Sequence, residues 1–77
     1  MEYETIEING IKIKALKTEE RVVTIHLGVI VKKIIYTIPL DIKLYEMIPD
    51  RVKINNKMFY KTDIIYINQK DFKLIEI

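Results

Sequence analysis

Seventy-seven residues carry 49% hydrophobic and 31% charged side chains at a formal net charge of +2, a mixture that folds and that offers a polyanion little overall charge. Cysteine is absent, which excludes disulfides and thiolate metal sites and argues against a small secreted scaffold. One domain is expected over residues 1–77, burying only roughly 60 to 65% of the surface that its unfolded chain exposes. Nearly every apolar side chain must then be used, or a partner must add buried area. The first residues alternate acids with apolar side chains, unlike a signal peptide, and Lys32-Lys33 break the longest apolar stretch well below the ~20 residues of a membrane span. A soluble, cytoplasmic protein without a membrane partner is the expectation.

Asn9-Gly10 lies between two alternating runs, Tyr3 to Ile8 and Ile11 to Leu16, and suits a two-residue type I′ turn in which both central residues need φ > 0. That turn fixes a register. Ile8 faces Ile11, Ile6 faces Ile13 and Glu4 faces Ala15, while Glu7 meets Lys12, Thr5 meets Lys14 and Tyr3 meets Leu16 on the other side. Apolar pairs gather on one face and an ion pair on the other, as cross-strand pairing favours.

Residues 17–21 read as a charged connection and residues 22–27 as a third alternating strand. Gly28 then reads as a bulge or bend inside one long strand that resumes over residues 29–38; a hairpin through residues 31–33 lacks the turn residues it would need. Pro39 closes that strand. Over residues 41–48, Leu44 is three residues from Met47 and four from Ile48, which is helical spacing, with Asp41 as cap and Pro49 as stop.

Residues 51–54 begin another strand, and the turn falls at Asn55-Asn56 or over Asn55 to Lys57, which leaves the register open; the two-residue form would set Val52 against Phe59. The returning strand is read over residues 58–67, with a bulge at the polar run 61–63. A polar loop at residues 68–71 would then pair Ile67 with Phe72, Ile65 with Leu74 and Ile64 with Ile75. Both faces of that last hairpin are apolar, so it does not alternate as a sheet solvated on one side should. The expected architecture is all-β: about six antiparallel strands in meander order, forming a small open barrel or sandwich with one short helical turn.

Chemistry is hard to find. His26 is the only histidine, no serine occurs, and two glycines are too few for a phosphate-cradling loop. Carboxylates at Glu19-Glu20, Asp63 and Asp71 sit in predicted turns. No enzyme, cofactor or metal site is expected. The motifs of cold-shock, single-strand-binding, Sm-like and chromo-type barrels are also missing. The lysine and isoleucine bias suggests an AT-rich or thermophilic source, a virus or mobile element among them.

Two binding readings remain. The first is a non-catalytic module acting through protein contacts, as a homo-oligomer, an inhibitor or an accessory subunit of a larger protein. Ile64, Tyr66, Phe72, Ile75 and Ile77 would form its interface on an unprotected terminal strand. The alternative is single-stranded nucleic-acid binding by lysines interleaved with aromatics, namely Lys32, Lys33, Tyr36, Lys53, Lys57, Tyr60, Lys61 and Tyr66.

Overall fold

The computed structural model describes residues 2–23 and 28–77, with Val22 and Val23 by backbone only. Its elements run β1 (Glu2–Ile8), β2 (Ile11–Val23), β3 (Ile30–Pro39), α1 (Ile42–Met47), β4 (Arg51–Ile54), β5 (Lys57–Lys61) and β6 (Asp71–Glu76). All strand pairs are antiparallel, in the spatial order β1-β2-β3-β6-β5-β4. Two three-stranded meanders thus meet at β3 and β6, and the sheet curls into a half-barrel. The mainly β class, the meander pairing and the single short helix are those the sequence indicates.

Both tight turns carry the chemistry read from their residues. Asn9 and Gly10 have φ of +50° and +81°, Asn55 and Asn56 of +51° and +66°. The registers follow: Ile8 opposite Ile11 through Tyr3 opposite Leu16, and Val52 opposite Phe59. Glu7 stands opposite Lys12, but the ion pair of this hairpin is Lys17 with Glu4 at 3.5 Å.

Three expectations are corrected. Residues 17–21 are not a connection, because β2 runs unbroken through them; both faces of the strand are solvated there, so it has no need of apolar alternation. Gly28 does not bend one long strand. Val23 lies opposite Ile30 in an antiparallel pair, so the chain reverses between them, and Gly28, at φ +62°, belongs to that reversal. Residues 31–33 are strand, not turn; residues 24–27, His26 among them, lie outside the described residues.

The third correction concerns the last hairpin. β5 stops at Lys61, and the β5–β6 register sets Phe59 against Glu76, Tyr60 against Ile75 and Lys61 against Leu74. Ile64, Ile65 and Ile67 therefore pair with nothing in the sheet. β6 lies between β3 and β5, so the terminal strand is central and not an exposed edge. Phe72 and Leu74 point into the curl beside Tyr36, Ile38 and Phe59, where all five are essentially solvent-free, and burial on that scale keeps their strand inside the sheet.

The concave face holds the core, with Ile6, Ile8 and Ile13 from the first meander and Val52, Ile54 and Phe59 from the second. β1 and β4, the two outer strands, approach each other across its open side. Asp41 caps α1 by accepting from the Lys43 and Leu44 N–H groups at 3.0 and 3.3 Å. Leu44 and Tyr45 then pack on the core, Tyr45 edge-on to Phe72 with ring centroids 5.0 Å apart.

β2 and β3 are longer than their neighbours. β1 reaches only to Lys17 of β2, and β6 only to Ile35 of β3, so the pairs from Glu19–Ile34 to Val23–Ile30 project as a two-stranded arm. The Cα radius of gyration of 13.0 Å compares with ~11.5 Å for a compact chain of this length. The exposed surface of 5935 Å² likewise exceeds the ~4900 Å² expected of a compact monomer of this mass.

Candidate interaction surface

Between β5 and β6 the chain makes a loop, residues 62–70, that lacks strand pairing and is nevertheless tied down at its base, flank and tip. At the base, the Thr62 N–H donates to the Lys73 carbonyl and the Lys73 N–H to the Thr62 hydroxyl, both at 2.9 Å. The Tyr45 hydroxyl reaches from α1 to the Thr62 carbonyl at 2.9 Å, and the Leu40 N–H reaches the Lys70 carbonyl at 2.9 Å. Gln69 organises the tip. Its Oε1 accepts from the Ile65 N–H and its Nε2 donates to the Asp71 carbonyl, each at 2.8 Å, while its own N–H bonds the Tyr66 carbonyl at 3.3 Å.

This frame presents apolar side chains to water. Ile65 is 82% exposed, Tyr66 63% and Ile67 99%, with Ile64 at 38%. A shallow groove runs from Ile65 and Tyr66 past Gln69 to Asp71 and Lys73. Isolated exposed apolar residues are ordinary, but four consecutive ones on a hydrogen-bonded loop concentrate apolar surface in one short segment.

The residues picked from sequence divide. Ile64 and Tyr66 are on the loop, next to Ile65 and Ile67, and none of the four belongs to the strand expected over residues 58–67. Phe72 is 1% exposed in the core, so it has no surface to offer. Ile75 lies on the convex face opposite Ile35 and Tyr60, and Ile77 is beyond the strand end, its N–H on the Met58 carbonyl at 2.9 Å.

The lysine and tyrosine set divides as well. Tyr36 is 1% exposed and tilted against Phe59 at 5.3 Å; burial, with Glu4 adding to it, raises its pKa above the ordinary 10.0. Lys61 is turned inward onto α1, donating to the Tyr45 and Ile48 carbonyls at 2.9 and 2.6 Å. Lys57 pairs with Glu76 at 3.7 Å. Lys32 is on the arm opposite Arg21.

Lys33, Lys53 and Tyr60 share the convex face. Alternation and cross-strand register add Tyr3, Lys12, Lys14, Lys73 and Arg51 to it; the Lys14 ammonium lies 5.2 Å from the Tyr3 ring centre.

Among the described residues, no three carboxylate or imidazole side chains converge as a metal site would require, and no helix is long and apolar enough to cross a membrane. Compared with known proteins, the chain matches no family model, no curated protein and no solved structure, so its function is argued from its own residues.

Proposed function

We propose that this chain is a non-catalytic interaction module that docks on a larger protein, as an inhibitor or accessory subunit, through the apolar tip of the loop at residues 62–70. The observation that carries this reading is the pairing of near-complete exposure at Ile65 and Ile67 with a backbone fixed through Gln69. A loop already ordered before contact has less entropy to lose on binding, and a tyrosine flanked by branched aliphatics suits a desolvated pocket in a protein partner. Lys70 and Lys73 are offset by Asp63 and Asp71 around the tip, so apolar burial, not charge, would supply the affinity.

Affinity capture from host extract, with wild type beside an Ile65→Ser/Ile67→Ser variant, tests it. A protein retained by wild type and released by the folded variant supports docking at the tip. Equal retention by both, or by neither, refutes it.

The convex face favours a second reading, single-stranded nucleic-acid binding. Lys12, Lys14, Lys33, Lys53, Lys73 and Arg51 share that face with Tyr3 and Tyr60, against the acids Glu7, Glu20 and Asp71. Cations beside tyrosine rings suit phosphates and stacked bases. Such binding must weaken steeply with salt through counterion release, so a titration at low salt that finds no oligonucleotide binding removes this reading.

A further inference from the structure

We propose that a second copy of this chain pairs with the exposed edge of β2 on the projecting arm, extending the sheet across a two-fold axis. This surface is separate from the loop tip, and its test reads the two independently.

Backbone direction identifies the open edge. The Ile34 N–H donates to the Glu76 carboxylate at 2.9 Å, so the polar groups of Ile34 face β6. Alternation then turns those of Val31, Lys33 and Ile35 toward β2, where they meet Val22, Glu20 and Thr18. The intervening residues of β2, Glu19, Arg21 and Val23, aim their N–H and C=O groups the other way. No described strand lies there, because β1 begins opposite Lys17. A bare edge on a two-stranded ribbon is marginal alone and is a template for another strand.

Charge selects the occupant and its register. Within the chain, Arg21 stands directly opposite Lys32 and Glu19 opposite Ile34, an arrangement that sets two cations side by side. The ion pairs among the described residues involve none of these three. An antiparallel pairing of two β2 edges centred on Glu20 brings Glu19 of each copy against Arg21 of the other, twice. Both pairs are ones whose backbone groups point outward, so they exchange main-chain hydrogen bonds as well as charge, in a short ladder over residues 18–22 that ends where Glu2 already pairs with Lys17. Glu20 meets its own copy at the axis, with Lys33 opposite each on the same face. Centring on Arg21 would instead set arginine against arginine beside Lys32, so the complementary register is the one about Glu20.

Sedimentation analysis over a concentration series at low salt tests this with charge reversal. Glu19→Arg and Arg21→Glu should each weaken the dimer about tenfold, since each turns both attractive pairs repulsive. The double variant should recover wild-type association within about threefold, which two unrelated losses could not do. Unchanged circular dichroism in the single variants separates lost pairing from lost folding. Ile65→Ser/Ile67→Ser should leave the dimer constant where it is. A monomer at every concentration, or a dimer indifferent to both reversals, overturns the proposal; so does a dimer that only the loop variant disrupts.

Discussion

Lys61 is fastened to Tyr45 twice: its ammonium lies 4.0 Å from the ring centre and donates to the Tyr45 carbonyl oxygen at 2.9 Å. The same ammonium holds the Ile48 carbonyl at 2.6 Å and lies 4.0 Å from Asp50. With 8% of its side chain exposed, this lysine closes the C-terminal end of α1, where carbonyls lack helical partners and favour a cation. Since Tyr45 in turn anchors Thr62, the contact ties the helix to the base of the loop. Lys61→Met keeps the aliphatic stem and removes the donor, and should cost about 1–3 kcal/mol in urea denaturation because two sheltered carbonyls lose a charged partner.

The first turn gives a sharper comparison. At Gly10 a Cβ would meet no atom within 4 Å, so Gly10→Val is opposed by backbone strain at φ +81° and not by crowding. A β-branched residue in that region should cost more than ~1 kcal/mol. Glu7→Lys, on the exposed side opposite Lys12, should lose only a few tenths of a kcal/mol. Equal effects in denaturation would contradict the turn geometry.

What was legible in the sequence was local. Asn9-Gly10, Asn55-Asn56 and the Asp41 cap each encode dihedrals or hydrogen bonds within a few residues, and the register of the first hairpin followed, while that of the second stayed open between a two- and a three-residue turn. The place of β6 was not legible, because strand order depends on which faces meet across the whole chain: Phe72 and Leu74 are drawn in by Tyr36, Ile38 and Phe59, none of them near in sequence. The loop misled for a related reason. Ile64 to Ile67 have strand propensity, yet Gln69 and Thr62 hold them outside the sheet. The signal was present in the failure of that segment to alternate, as a strand with one solvated face would do.

Alkaline pH should weaken the fold through Tyr36. Its buried hydroxyl ionises above the ordinary value of 10.0, so the native state keeps a proton that the unfolded chain releases first. The contribution is complete below pH 10 and is lost as pH climbs from there through the native pKa. Tyr45 adds in the same direction, burial again raising its pKa. Denaturation midpoints of Tyr36→Phe should therefore decline less than those of wild type between neutral and strongly alkaline pH; parallel curves would remove Tyr36 as the cause.

Gln69 offers a way to separate loop order from overall stability. Its amide joins the Ile65 N–H to the Asp71 carbonyl, while the base bonds at Thr62 and the core beneath involve other residues. Gln69→Ala should release the tip alone, with global stability changing by less than ~1 kcal/mol because the freed groups are solvent-accessible. Hydrogen exchange at the Ile65 amide should accelerate while amides of β3 and β6 keep their protection. If the tip is an anchor whose order is set before contact, partner affinity must fall in step, since the partner then has to fix the loop as it binds. Retention of full affinity by a Gln69→Ala protein with a demonstrably loosened tip would show that preorganisation contributes nothing to docking.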